Sequence, residues 1–154
     1  MPTCYMLIGL PGTGKSTWVG HFYEKEQNPV IISSDYFIER FAHLCGMTYN
    51  EAFPLVMARG IPDKFIRKRI KKAISGGRDV LWDQTNLTVK SRRAKMAQLP
   101  GYQFEALVFE KPPEDLWKKN LDRPGKVIPS HILLHMERSY RAPTKDEGFT
   151  RIYY

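Results

Sequence analysis

Gly9-Leu10-Pro11-Gly12-Thr13-Gly14-Lys15-Ser16 is the stretch on which the fold turns. It satisfies the pattern G-x-x-x-x-G-K-[ST] at every fixed position. Glycines let backbone N–H groups turn inward around phosphate oxygens, where side chains would obstruct them. A helix starting immediately afterwards directs its first N–H groups at the same anion. Lys15 is placed to reach the β- and γ-phosphates, and Ser16 to bind a magnesium ion. Thr17 caps or buttresses the helix start. Gly9, Leu10, Pro11, Gly12, Thr13, Gly14, Lys15, Ser16 and Thr17 are therefore the candidate contacts for ATP with Mg2+.

The flanks agree with that reading. Residues 4–10 form a short apolar run ending at glycines, which predicts a buried strand. Residues 16–27 predict a helix stopped by Asn28-Pro29. Val30-Ile31-Ile32-Ser33 predicts a second strand. A mostly helical stretch over 35–76 follows, with breaks near Gly46 and Gly60-Ile61-Pro62. Val80-Leu81-Trp82 predicts a third strand, and 90–98 a short helix. Residues 104–109 predict a fourth strand, and 113–121 and 129–139 two more helices. The tail around Ile152 and Tyr153 is a candidate edge strand. Strands alternating with helices predict an α/β protein: a three-layer P-loop kinase fold with a mostly parallel central sheet of four or five strands. Residues 1–154 read as one domain, with a lid over 118–127.

Composition sets limits. The chain has 154 residues, 42% of them hydrophobic and 26% charged, which is globular and excludes a wholly disordered chain. No apolar run approaches the roughly 18 residues of a membrane span. The start, Met1-Pro2-Thr3-Cys4, lacks a basic leader region. With Cys4 and Cys45 alone, a disulfide scaffold is not expected, and a reducing, cytoplasmic setting is. Lys plus Arg number 24 against 16 Asp plus Glu, a formal charge of +8. That field favours an anionic partner such as a nucleotide or a nucleic acid, although a basic soluble protein is the plainer alternative.

The motif names a nucleotide site but not the acceptor. The guanine-reading element N-K-x-D does not occur, so a small kinase is the generic expectation. In open parallel sheets, ligands bind beyond the carboxyl ends of the strands. Asp35 sits just past the second predicted strand and Asp83 ends the third. A kinase needs a carboxylate to orient and deprotonate the acceptor hydroxyl, so both are candidate catalytic residues. Asp35 has an alternative role as a helix N-cap. Thr85 and Asn86 are candidate substrate contacts, or they shape an Asx turn. Of Arg92 and Arg93, one is a candidate for the phosphate channel. Arg123, before Pro124-Gly125, is a candidate lid arginine over the transferring phosphate. Residues 59–79 carry eight basic residues against Asp63 and Asp79. They form either a track for a nucleic-acid backbone or a solvated helix face.

The assembled pattern resembles the 5′-kinase domain of the phage-type polynucleotide kinases. The residues that carry the resemblance run from Gly9 through Trp18, then Asp35-Tyr36, Asp83-Gln84-Thr85-Asn86-Leu87 and Arg92-Arg93. They continue through Val108-Phe109-Glu110, Leu116-Trp117-Lys118-Lys119-Asn120, Arg123 and Val127-Ile128-Pro129. Residues 40–75 match poorly. The resemblance implies ATP and Mg2+ at Lys15 and Ser16, Asp35 as general base, Asp83 placing the acceptor, and Arg123 over the moving phosphate. The implied partner is a DNA or RNA 5′-hydroxyl end, with no membrane involved. Where the family carries an arginine three residues after its base, this sequence has Ile38, and Arg40 lies two residues further on. A small-molecule acceptor and a nucleic-acid-stimulated ATPase remain the alternatives.

Overall fold

The structure is a computed structural model and describes residues 1–25 and 28–154. Its elements run β1 (Thr3–Ile8), α1 (Lys15–Lys25), β2 (Val30–Ile32), α2 (Ser34–Cys45), α3 (Tyr49–Ala58) and α4 (Ile61–Gly76). They continue with β3 (Val80–Trp82), α5 (Val89–Met96), β4 (Gln103–Val108), α6 (Pro113–Leu121), α7 (Ser130–Ser139) and β5 (Arg151–Tyr153). The last two positions of the helix predicted over 16–27 lie outside the described residues.

The five strands lie in the order β2-β3-β1-β4-β5, and every pair is parallel. β1 is central because it is apolar on both faces. Cys4, Met6, Leu7 and Ile8 are all fully buried, as a strand covered on two sides requires. β1 and β4 end together, with Ile8 level with Val108, while β3 ends two residues earlier, with Trp82 level with Met6. The chain leaves β1 past β3 to reach β2, returns to β3, then crosses β1 to β4. That reversal opens a crevice above β1 and β3, where ligands of such sheets bind. The tail supplies the predicted edge strand. Thr150 N–H donates to Phe104 O at 2.8 Å as β5 begins.

The helical stretch breaks where its punctuation predicts. Gly46 ends α2 at φ 65°, a left-handed cap that glycine adopts without strain. Thr48 opens α3 with a capping box: Glu51 N–H donates to Thr48 Oγ1 at 3.2 Å, and Thr48 N–H donates to Glu51 Oε2 at 2.7 Å. α4 packs on β2 and α2. Ile70 and Ala73 face the main core with Val30, Val80 and Trp82. A second cluster joins Ile38 and Ala42 of α2 to Ala52 and Val56 of α3. Residues 40–60 are therefore held in place by this second cluster.

Candidate active site

Gly9 to Lys15 leave β1 and enter α1 around a cradle that only glycine permits at its first position. A Cβ on Gly9 would stand 2.5 Å from Phe109 O and 2.9 Å from Thr13 Oγ1. Gly12 and Gly14 hold φ of 83° and 98°, which side chains resist. Gly9 N–H donates to Thr85 O at 3.0 Å, binding the loop to the turn after β3. Thr13 Oγ1 donates to Leu10 O at 2.8 Å.

Lys15 folds into this loop. Its Nζ donates to Gly9 O and Leu10 O, each at 2.7 Å. Burial pulls its ammonium down to about 8; Asp83 and Asp35 oppose the shift, and Arg123 adds to it. Burial likewise raises the Asp83 carboxyl, with Lys15 opposing and Asp35 reinforcing. Lys15 and Asp83 thus feel each other's charge in a partly desolvated cleft.

Asp35 stands opposite, in the first turn of α2. The N-cap belongs to Ser33, whose Oγ accepts from Tyr36 N–H at 3.3 Å. The Asp35 carboxylate is therefore free of capping. Its Oδ1 accepts from Tyr49 Oη at 2.6 Å, and its Oδ2 lies 3.9 Å from Lys126 Nζ. Lys126 also pairs with Glu39, one helical turn beyond Asp35, and its Nζ lies 4.7 Å from the centre of the Tyr49 ring.

Lys126 belongs to the connection that follows α6. Asn120, buried at the end of α6, holds this loop by two bonds: its Nδ2 donates to Ile128 O at 2.8 Å, and Ile128 N–H donates to its Oδ1 at 2.9 Å. The loop rests on the start of α3, where Asn50 N–H donates to Gly125 O at 2.9 Å. Asn50 Nδ2 also donates to Val127 O at 3.2 Å. The segment over 118–127 thus borders the cleft through Lys119, Asp122, Arg123 and Lys126 and rests on the start of α3.

These elements enclose a cleft of about 690 Å³, lined by Lys15, Ser16, Asp35, Asp83, Arg123 and Lys126 among others. Arg123 Nη1 is buried there without a hydrogen-bond partner among the described residues. A buried donor of this kind fits an anion supplied from outside the chain. With the glycine cradle and Lys15, it makes the loop a fit for a nucleotide's phosphates. Among the described residues no cluster of three or more His, Cys, Asp or Glu could hold a metal by itself. Ser16 and Asp83 line the cleft instead, a sparse oxygen set suited to a magnesium ion that also binds phosphates. A second cleft of about 420 Å³ opens across the loop, lined by Gly9, Leu10, Phe109, Pro112, Leu116 and Tyr140.

Most of the candidate residues line one of the two clefts. Pro11, Gly12, Gly14, Lys15, Ser16, Thr17, Asp35, Asp83, Thr85 and Arg123 line the first cleft; Gly9, Leu10 and Thr13 line the second. Arg40 lines neither cleft and is exposed on α2. Five residues of helix turn it about 140° from Asp35, whereas Ile38 faces the core. Asn86 is buried and lines neither cleft, being used as a brace: its Nδ2 donates to Leu7 O at 2.6 Å and Gln84 O at 3.1 Å. Arg92 is also buried, paired with Glu147, away from the phosphate cradle. Tyr49, Glu39 and Lys126 enter the site without having been singled out in the sequence. The signal for Glu39 was present, since i, i+4 spacing from Asp35 puts two carboxylates on one helix face.

A family model described as an AAA domain matches residues 5–143. Among solved structures, the chain is similar to one from the PezAT chromosomal toxin-antitoxin system of Streptococcus pneumoniae. That match has a TM-score of 0.73 at 23% identity and covers 99% of this chain and 66% of that one. A chain of the Pnkp1/Rnl/Hen1 RNA repair complex matches with TM-score 0.68 at 23% identity, over 90% of this chain and 43% of that one. A sugar kinase from Janibacter sp. HTCC2649 matches with TM-score 0.60 at 20% identity, over 98% of this chain and 84% of that one. At these identities the likeness shows a shared fold.

Proposed function

The chain belongs to the AAA domain family, and from that premise we propose that it is an ATP-dependent kinase whose acceptor is a hydroxyl at the 5′ end of DNA or RNA. The observation that carries the reading is the shared cleft. Lys15 and the unpartnered Nη1 of Arg123 stand in the same space as the carboxylates of Asp35 and Asp83. In that cleft the cations can hold a triphosphate while a carboxylate takes the acceptor's proton, the two requirements of phosphoryl transfer.

In the proposed reaction, the acceptor oxygen bonds to the γ-phosphorus while the bond from that phosphorus to the β-bridging oxygen breaks. ADP leaves with the electron pair, and the acceptor proton passes to Asp35. Lys15 and Arg123 hold the negative charge spread over the transferring group. A magnesium ion, held by Ser16 with Asp83 through its water, would supply further charge neutralisation. The apolar second cleft, between Phe109 and Tyr140, is the proposed seat of the base. The loop over 122–129 excludes water from the transfer.

The net charge of +8 supports a polyanionic acceptor. So do the exposed Lys64, Arg67, Lys68, Lys71 and Lys72 on α4 and the fold shared with the RNA repair complex. A second reading, transfer to a small neutral alcohol, is favoured by one observation. Ile38 is buried and Arg40 turns away, so neither presents a cation to an acceptor phosphate. Transfer of label from γ-labelled ATP separates them, with 5′-hydroxyl and 5′-phosphate oligonucleotides and a nucleoside and sugar panel as acceptors. The proposal expects label on 5′-hydroxyl ends alone, slowed to a small residual rate in Asp35→Asn. Label on small alcohols alone transfers the assignment to the second reading. Phosphate release stimulated by nucleic acid, without any labelled acceptor, replaces both with an ATPase.

A further inference from the structure

We propose that Tyr49 is a positioning residue for Asp35, selecting Oδ2 as the oxygen that receives the acceptor proton. The inference rests on the kinase reading above and deepens it. The Asp35 side chain is 58% exposed and stands in the first turn of a helix, where nothing on its own element fixes its rotation, because Ser33 takes the cap. The hydrogen bond that orients it comes from another element: Tyr49 Oη donates to Oδ1 at 2.6 Å. A carboxylate pinned at one oxygen presents the other in a fixed direction, and proton transfer depends on that alignment.

Tyr49 is itself held. It is the first residue of α3, directly after the Thr48 cap, and its ring lies 5.9 Å from that of Phe53. Burial and the Asp35 bond both push its phenol well above the ordinary tyrosine range, so it remains a donor throughout neutral pH. The other face of the arrangement belongs to the lid. Lys126 Nζ lies 4.7 Å from the Tyr49 ring centre and 3.9 Å from Oδ2. It also pairs with Glu39. Tyr49 therefore touches both the proposed base and the loop that closes over it. It comes from the segment whose sequence resembled the phage-type enzymes least.

The test is a two-by-two set: wild type, Tyr49→Phe, Asp35→Asn and the double variant. Each is measured for kcat, KM for ATP, and thermal midpoint, on the acceptor that wild type labels. Phe keeps the ring that Phe53 and Lys126 pack on and removes only the hydroxyl. The expected result is a fall in kcat of about tenfold or more for Tyr49→Phe, with KM for ATP and the midpoint unchanged. In the Asp35→Asn background the same change is expected to cost nothing further, since the group it positions is gone. A Tyr49→Phe enzyme as fast as wild type overturns the inference and leaves the kinase reading intact. So does an equal loss in both backgrounds, or a loss that appears in KM and the midpoint instead. A wild type that labels no acceptor overturns the kinase reading, and this inference with it.

Discussion

Arg92 donates to Glu147 twice, from Nε to Oε2 and from Nη2 to Oε1, each at 2.7 Å, with side chains 0% and 2% exposed. The third nitrogen, Nη1, donates to Asn86 O at 2.9 Å and Arg141 O at 3.0 Å. One guanidinium thus joins α5, the turn after β3 and the C-terminal segment. Burial would raise the Glu147 carboxyl, but the Arg92 fork and Thr144 N–H overcome it and hold it below the usual range.

Breaking that pair leaves a buried charge alone. Arg92→Ala is expected to cost about 3–5 kcal/mol, a fall in melting midpoint of about 6–20 °C for a chain of this size. Arg92→Lys restores little, because an ammonium cannot reproduce a two-pronged fork. The pH sign follows from the depressed Glu147. Its contribution is present above the ordinary carboxylate range and is lost as pH falls through its folded value. Thermal melts of wild type and Arg92→Ala at neutral and acid pH check both statements: the gap between them should narrow in acid.

The same residue marks a limit of sequence reading. Arg92-Arg93 looks like two surface cations at a helix start, and one was a candidate for the phosphate channel. Its partner is 55 residues away, and no local pattern encodes a pairing at that distance. The sequence alone leaves Asn86 open between a substrate contact and an Asx turn. Its φ of 50° and its buried amide brace the strand ends, as an Asx turn would, so the residue shapes the site from beneath. The phosphate loop, the strands around it and the places of Asp35 and Asp83 are legible because each depends on short-range rules. These are glycines at fixed spacing, apolar runs of strand length, and a carboxylate soon after a strand ends; the strand order is set by long-range pairing and is not legible in the same way. The contacts of the loop after α6 are not legible either, because Lys126, Glu39, Tyr49 and Asn50 meet only after α2 and α3 pack through Ile38, Ala42, Ala52 and Val56.

Gly9 offers a direct test of the cradle. A Cβ there meets Phe109 O at 2.5 Å, a backbone atom of the β4 end that cannot rotate away. Gly9→Ala is expected to lose about 1–3 kcal/mol of stability through overpacking and to weaken ATP binding by displacing the loop. Calorimetric titration with ATP and a thermal melt read the two effects. Gly20→Ala, whose Cβ would meet nothing within 4 Å, is the control that should bind as wild type.

Lys15 predicts a pH dependence of nucleotide binding. Burial sets its ammonium near 8, well below an ordinary lysine. Phosphates bind the charged form, which is complete below that value and is lost as pH rises through it. ATP affinity is therefore expected to be flat below about pH 7.5. Above pH 8 it should weaken by up to about tenfold per unit, one proton's worth of linkage. Binding curves from pH 7 to 9.5 check this. Lys15→Arg binds more weakly but should lose the slope, because a guanidinium does not titrate in that range.

Gly125 seats the loop after α6 on the start of α3, where its carbonyl accepts from Asn50 N–H at 2.9 Å. It holds φ 69°, and a Cβ there would stand 2.9 Å from Thr48 Cβ and 3.1 Å from Thr48 Cγ2. Thr48 cannot retreat freely, because its hydroxyl caps α3 and its N–H is bound by Glu51. Gly125→Ala is therefore expected to lift the loop and carry Lys126 away from Asp35, Glu39 and the Tyr49 ring. An open site admits water to the γ-phosphate, so acceptor transfer should fall while acceptor-free ATP hydrolysis rises relative to it. The left-handed backbone adds about 1–3 kcal/mol of strain to the closed form. Measuring the two rates side by side checks the partition. Adding Thr48→Ser, which keeps the cap but removes Cγ2, should recover part of the transfer rate. If the double variant is no better than Gly125→Ala, the contact with Thr48 is not what holds the loop in place.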